Sequence, residues 1–108
     1  MNLDIVESVF GYPIRLTDER WYDHIVNRRP YMSGYYQAVL DAIEKPEFVL
    51  PANDGSKVAI LNVGKKQWLH VFFMEYTNKD GEKDGFILSA YIDDEYNKRK
   101  RKLWQRNS

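Results

Sequence analysis

Three apolar runs rich in β-branched and aromatic residues follow one another in the second half of the chain, at 58–63, 68–76 and 86–92. Gly-Lys-Lys at 64–66 separates the first two, and a polar stretch at 78–85 separates the last two. Runs of this length between turn sequences predict an antiparallel meander. The middle run is apolar on both alternating faces except at His70. It is therefore expected to be a central strand, covered either on both sides or by helices on one side and a partner on the other.

Shorter strands are expected before the meander. Residues 3–16 alternate loosely around Gly11-Tyr12-Pro13, which predicts two strands joined by a turn. A weaker run at 47–50 stops at Pro51, because proline lacks the N–H that a sheet ladder needs.

A first helix is predicted between Thr17 and Pro30. Thr17 is a good N-cap, and Pro30 ends the helix because it has no N–H and disfavours helical angles in the residue before it. Arg29 is therefore expected to point away from the helix face. At about 100° per residue the helix has one apolar stripe, formed by Trp21, Tyr22, Ile25 and Val26.

A second helix is predicted between Pro30 and Pro46. Its apolar stripe is formed by Met32, Tyr36, Val39, Leu40 and Ile43. Two helices that each carry an apolar stripe must cover an apolar surface, and the downstream sheet is the candidate. The predicted fold class is therefore α+β, with two N-terminal helices packed on an antiparallel β-sheet.

The length of 108 residues and the 44% hydrophobic content allow one compact core. We expect a single domain at 1–97 and a basic C-terminal tail at 98–108. The tail holds six of the sixteen basic residues and no acid, so residues 1–97 carry ten basic and sixteen acidic residues. The tail is predicted to be mobile or helical and to attract phosphate, with Trp104 as a stacking ring. A solvated helix extension is the alternative.

The chain contains no cysteine and only two histidines. A disulfide and a thiolate metal site are thus impossible, and two histidines make a poor zinc site, so we expect no metal and no cofactor. The first ten residues have acids where a signal peptide has basic residues, and no apolar run is long enough to span a membrane. We expect a cytoplasmic protein without membrane contact.

His24 and Arg28 lie four residues apart on the edge of the first predicted helix. An imidazole beside a guanidinium could move a proton and neutralise phosphate charge, although such neighbours are also common on solvated helix edges. His70 shares a strand face with Trp68 and Phe72, which favours a core or interface imidazole. It is the reserve candidate for a catalytic base.

Ser89 and Tyr91 are predicted to lie on one face of the last strand. They could hydrogen-bond a phosphate and orient a base, although a half-buried strand explains the same alternation. Lys66 follows Gly64 in a tight turn and could reach a phosphate at the strand end, but solvated turn lysines are the ordinary outcome.

Two stretches of the chain, LTDERWYDHIVNRRPYM and GFILSAY, resemble the phage and bacterial BECR-type domains, the group of the barnase, EndoU, colicin and RelE nucleases. The helix pattern of the family is W-x-x-H-I-x-x-R-H-P, and it is matched at Trp21, His24, Ile25, Arg28 and Pro30. Arg29 takes the place of the second histidine. The final T/S-A-Y element of the family is matched at Ser89, Ala90 and Tyr91.

The resemblance implies a metal-independent endoribonuclease, toxin-like or phage-related, that cleaves RNA by 2′-hydroxyl transesterification and leaves a cyclic phosphate. In this hypothesis His24 is the acid or base, Arg28 stabilises the phosphate and Tyr91 is a base or orienting group. Substrate-binding residues would be Arg29, Lys66, Ser89 and Trp104.

RNA is the expected partner under this hypothesis, and a cognate antitoxin or immunity protein is a further candidate. The oligomeric state is left open. The alternative hypothesis is a non-catalytic RNA- or protein-binding module that uses the aromatic sheet face and the basic tail.

Overall fold

The structure is a computed structural model that describes residues 1–107, and the backbone of these residues forms a single seven-stranded mixed sheet. The strands are β1 (Asn2–Glu7), β2 (Pro13–Thr17), β3 (Phe48–Pro51), β4 (Lys57–Gly64), β5 (Gln67–Thr77), β6 (Lys83–Asp93) and β7 (Trp104–Gln105). Their order across the sheet is β1-β2-β6-β5-β4-β3-β7. The predicted meander of three antiparallel strands is confirmed as β4, β5 and β6, and the predicted N-terminal pair is confirmed as β1 and β2.

β2 and β6 form the parallel neighbours of the sheet, and they pair at one position, Arg15 with Phe86. The Arg15 guanidinium reaches past this pair, because Nε donates to the Gly85 carbonyl at 3.3 Å and Nη2 lies 3.2 Å from the Asp84 carboxylate. Gly85 is needed for this close approach, since a Cβ there would lie 2.6 Å from Ile14 Cδ1. Beyond Phe86 the two strands separate, and the outer edge of β6 is left without a strand neighbour within residues 1–107.

The helical layer lies between β2 and β3 in the chain. It consists of a π-helical segment (Arg20–Val26), a 3₁₀ segment (Pro30–Tyr35) and α1 (Tyr36–Glu44). The predicted cap is confirmed, because Thr17 Oγ1 accepts a hydrogen bond from the Arg20 N–H at 3.1 Å. The π geometry is seen where the Asn27 N–H donates to the Tyr22 carbonyl at 3.0 Å, five residues back.

The predicted fold class, two N-terminal helices packed on an antiparallel sheet, is wrong. Two strands precede the helical layer, the sheet is mixed, and the sheet dominates the fold. The first predicted helix is the short π-helical segment Arg20–Val26, and Pro30 begins the next segment. The second begins as a 3₁₀ turn and becomes α-helical only at Tyr36.

The two faces of the sheet bury different sets of residues. One face packs under the helical layer and contributes Val49, Ala59, Leu69, Val71, Phe73, Ile87 and Ala90 to the main core. The opposite face carries a smaller cluster of Phe48, Leu50, Val58 and Ile60, against which Trp68, Phe72 and Tyr96 pack. No helix of residues 1–107 covers this second face, which we call the open face.

The C-terminal segment is extended rather than helical. Its residues Trp104 and Gln105 form β7 on the outer edge of β3, and the Leu103 N–H donates to the Val49 carbonyl at 2.8 Å. The prediction of a helical tail is therefore wrong for 98–107, while Ser108 lies outside the described residues. Within 1–107, no helix has both the length and the apolar character needed to cross a membrane.

A buried ion pair fastens the β1–β2 loop to the sheet. The Glu75 side chain is only 2% exposed, and its carboxylate meets Lys57 Nζ at 2.8 Å and the Ser8 hydroxyl. Ser8 Oγ in turn accepts the N–H groups of Phe10 and Tyr12, each at 3.3 Å. Every oxygen of this network has a partner, which is the condition for burying a carboxylate at tolerable cost.

Lys57→Met should lower the free energy of unfolding by about 2 kcal/mol or more, because it leaves the buried Glu75 carboxylate without its cation. Adding Glu75→Leu should recover part of the loss. Urea unfolding of both variants measures the effect, with Lys65→Met in the exposed turn as the matched control. Equal stability of Lys57→Met and Lys65→Met would show that the pair does not hold the loop.

Candidate functional site

A groove of about 800 Å³ runs across the open face. Its floor is formed by β4, β5 and β6, and one wall is the segment after β6, residues 95–100. We call this space the open-face groove and residues 95–107 the C-terminal arm. The side chains on the floor are Val58, His70, Phe72 and Tyr91. A groove of this size and composition is the natural binding-site candidate of the molecule.

Two aromatic clusters line the open face. His70 and Tyr91 are cross-strand partners, and their rings stack with centroids 4.8 Å apart and planes inclined by 21°. Phe72 adds a third ring 5.7 Å from Tyr91. The second cluster joins Trp68 to Tyr96 at 4.8 Å, and Phe48 lies 4.6 Å from Tyr96. Of these rings, His70, Phe72, Tyr91 and Tyr96 line the groove.

His70 is held as a neutral imidazole. It is 7% exposed, and its Nδ1 lies 2.9 Å from the Trp68 carbonyl. Because a carbonyl only accepts, Nδ1 carries the proton and Nε2 is left as an acceptor. Burial lowers the pKa of His70, while the Trp68 hydrogen bond and the Asp93 carboxylate oppose that shift. The groove thus contains a base that is uncharged at neutral pH.

Arg29 joins the open face from the helical layer. Its N–H donates to the Ile25 carbonyl at 3.0 Å, and its backbone then turns extended, with φ −137° and ψ 85°. The guanidinium lies over the Tyr91 ring, 5.0 Å from the centroid. The prediction that Pro30 directs Arg29 away from the helix face is confirmed.

Tyr91 keeps its proton at neutral pH. Its pKa is raised chiefly by burial and also by the Asp93 carboxylate, while Arg29 acts in the opposite direction. A phenol in this state donates a hydrogen bond and presents an uncharged ring. Tyr91 therefore suits stacking and orientation better than it suits proton abstraction.

The C-terminal arm is fixed by its own lysines. Lys100 Nζ donates to the Pro51 carbonyl at 2.9 Å and to Asn53 Oδ1 at 3.2 Å. Lys102 lies over the Phe48 ring at 4.5 Å, and Lys98 lies 5.9 Å from the centre of the Tyr96 ring. Alternate lysines thus hold the arm against the open face and place positive charge along the groove.

The groove also contains carboxylates. Asp93 and Glu95 line it together with Lys98, Arg99 and Lys100. The pKa of Asp93 is lowered, first by the Asp94 N–H, so this carboxylate stays charged. A ligand must therefore tolerate a mixed wall in which cations outnumber acids.

The residues expected to act together do not share one pocket. His24 and Arg28 belong to the helical layer, whose π-helical segment packs on the main core through Trp21 and Ile25. Tyr91 lies on the opposite face of the sheet. Among residues 1–107, the lining of the groove includes neither His24 nor Arg28.

The proposed substrate-binding residues also separate. Ser89 pairs with Phe72 and shares the open face with Tyr91, and Arg29 contacts that tyrosine directly. Lys66 is exposed in the β4–β5 turn, with φ 54°, and does not line the groove. Trp104 packs against the main core, on the face opposite the groove.

The sequence predicted His24 as the catalytic acid or base and His70 as the reserve, whereas in the structure His70 is the histidine that lines the groove. The signal was present in the alternation of Trp68, His70 and Phe72, which already put three rings on one strand face. No comparable signal showed that the basic tail would fold back beside them. The wall formed by Lys98, Arg99 and Lys100 depends on contacts with residues some fifty positions earlier in the chain.

Comparison of the chain with protein-family models, with curated proteins and with solved structures finds no match. The BECR-type resemblance therefore stays a prediction. Among residues 1–107, no three His, Asp or Glu side chains are grouped closely enough to hold a metal ion.

The stability of the protein should fall as the pH drops below 6.5, the ordinary pKa of histidine. Above that pH His70 is neutral in both the folded and the unfolded protein, so folding does not have to release a proton from it. Below it the unfolded chain binds the proton more readily than the folded one, because burial lowers the folded-state pKa, and the loss ends once the pH is below that lowered value. Unfolding of wild type and His70→Gln between pH 5 and pH 8 tests this. An equal pH dependence in the two proteins would contradict it.

Proposed function

We propose that this protein binds single-stranded RNA in the open-face groove. The observation that carries the proposal is the stack of His70 on Tyr91, with the Arg29 guanidinium on the same tyrosine. Unpaired bases bind proteins by stacking on aromatic and guanidinium planes, and their phosphates bind nearby cations. The groove provides both kinds of contact within one rigid surface.

The positive charges close to the groove also favour RNA as the ligand. Residues 1–97 carry a net charge of minus six, so the body of the protein does not attract RNA as a whole. The C-terminal arm brings Lys98, Arg99 and Lys100 to the groove, and Arg29 adds a fourth cation beside Tyr91. At physiological ionic strength charges are screened over about 8 Å, so the potential that a bound phosphate meets is set by these local cations together with the groove carboxylates Asp93 and Glu95.

The aromatic floor favours unpaired over paired strands. Ring stacking needs the face of a base, and duplex RNA keeps those faces stacked on one another.

We propose that this activity takes place in the cytoplasm. A chain without cysteine forms no disulfide, so it does not need an oxidising compartment.

Tyr91→Ala should weaken binding of a single-stranded RNA by about 1–3 kcal/mol, the value of one base–aromatic stack. Arg29→Gln should weaken it less and should reduce the salt dependence of binding by about one phosphate contact. Fluorescence anisotropy with a labelled oligouridylate measures both.

The matched control is Tyr22→Ala, since Tyr22 is 58% exposed on the helical layer and lies outside the groove. Its affinity should equal that of wild type. If Tyr91→Ala and Tyr22→Ala bind alike, the open face is not the RNA site.

RNA cleavage is a second candidate, favoured by one observation: the neutral His70 has an acceptor Nε2 and lies beside Tyr91 and Arg29. In this hypothesis His70 takes the 2′-hydroxyl proton, the 2′-oxygen attacks phosphorus as the bond to the 5′-oxygen breaks, and water protonates the leaving 5′-oxygen. Arg29 stabilises the charge that develops on the phosphate. His70 thereby takes the role that the sequence resemblance implied for His24.

The catalytic candidate makes a separate prediction. Wild type should form cyclic-phosphate product in the presence of EDTA, and His70→Gln should form it about 10² to 10⁴ times more slowly. His24→Gln is the matched control and should cleave at the wild-type rate when the RNA is saturating, because His24 lies outside the groove. Binding without any product would leave the protein a binding module, and a slow His24→Gln would return the role to His24.

A further inference from the structure

We propose that a bound RNA strand does not end in the groove but crosses the outer edge of β6 onto the surface formed by Arg28, Arg29, Tyr31 and His24. We call this surface the edge turn. The proposal rests on the proposed function of the groove and extends it, because it assigns a second subsite for the same single-stranded RNA. It also gives His24 and Arg28 a binding role in place of a catalytic one.

The first support is the shape of the sheet at this edge. β2 pairs with β6 only at Phe86, so in the described part of the chain the following part of β6 has β5 on its inner side and no strand on its outer side. Tyr31 lies there instead. Its hydroxyl accepts the Ile92 N–H at 3.1 Å and contacts the Ile92 carbonyl at 3.5 Å. The edge is thus closed by a side chain and not by a strand that would block a ligand.

The second support is Arg29, which spans the two sides of the sheet. Its backbone is anchored in the helical layer through the Ile25 carbonyl, and its guanidinium lies on Tyr91 in the groove. A phosphate bound at this guanidinium would stand at the edge itself. The next nucleotide would then meet the ring of Tyr31, which is 49% exposed.

The third support is the distribution of charge on the helical layer. Arg28 is exposed in the turn directly before Arg29, and His24 lies four residues earlier, in the π-helical segment that ends at Val26. The nearby acids, Asp18, Glu19 and Asp23, line a separate shallow pocket around Tyr22. An anionic strand leaving the groove passes Asp93, which follows Ile92 in β6, and then meets Arg29 and Arg28 at the edge turn.

The size of the groove also leaves room for this continuation. Crossing from β3 to β6 covers three inter-strand spacings, about 14 Å in total. That width holds a short oligonucleotide. A longer strand has to leave the groove, and the exit at β6 is the one that carries Arg29.

The test compares oligouridylates of about four and about twelve nucleotides, a range that spans common single-strand site sizes. In wild type the longer RNA should bind more tightly than the shorter one. The gain in affinity should exceed the statistical factor that arises because a longer strand can be placed in the groove in more ways. Arg28→Gln should reduce affinity for the longer RNA by about five-fold at 0.1 M salt, and lower its salt slope by about 0.7, the value for one contact to a single strand. It should leave the shorter RNA unaffected.

Two further variants sharpen the result. Tyr31→Leu removes the exposed ring and should also weaken the longer RNA selectively. Lys79→Gln, at the exposed tip of the β5–β6 hairpin, removes an equal charge away from both surfaces and should change neither affinity.

The outcomes separate the two proposals. If Tyr91→Ala weakens both RNAs while Arg28→Gln and Tyr31→Leu match Lys79→Gln, the groove binds RNA and the edge turn does not. If Tyr91→Ala has no effect on either RNA, the proposed function itself fails. A loss confined to the longer RNA in Arg28→Gln and Tyr31→Leu establishes the second subsite.

Discussion

The pairing of β5 with β6 is the interaction on which the rest of the structure depends. Because successive residues face opposite sides of a sheet, one register places Val71 and Ala90 in the main core and His70 and Tyr91 on the open face. A slip by one residue would exchange the two sets and bury the imidazole and the phenol. Hydrophobic burial on one face therefore holds the stacked rings of the other in position.

Pro30 connects the core to the groove in a similar way. It ends the helical layer and forces Arg29 into an extended conformation, from which the guanidinium reaches Tyr91 across the sheet edge. A helix continuing through this point would carry Arg29 along the core-side layer. The position of the Arg29 guanidinium is thus a consequence of the restriction that Pro30 places on the backbone of Arg29.

The sequence predicted those parts of the fold that depend on local patterns. The alternation in 58–63, 68–76 and 86–92 located the meander, Thr17 located the helix start, and Pro30 located the turn of Arg29. The parallel contact of Arg15 with Phe86 and the docking of the arm on β3 depend on residues distant in the chain, and neither has a local signature. His24 was weighted above His70 because helical spacing showed its neighbour Arg28, whereas the stack of His70 on Tyr91 appears only once β5 and β6 are in register.

The arm shows how a protein with an acidic body can present basic side chains at a groove. Lys98 and Lys102 rest on the rings of Tyr96 and Phe48, and Lys100 is held by the Pro51 carbonyl. These contacts fix the lysine side chains close to the open face, so their charge is concentrated there and not dispersed in solvent. Since screening limits electrostatic influence to about 8 Å, the groove cations Lys98, Arg99 and Lys100 are opposed chiefly by the groove carboxylates Asp93 and Glu95, and little by the acids elsewhere on the body. The net charge of the chain is therefore a poor guide to the ligand, and the position of the arm is the better one.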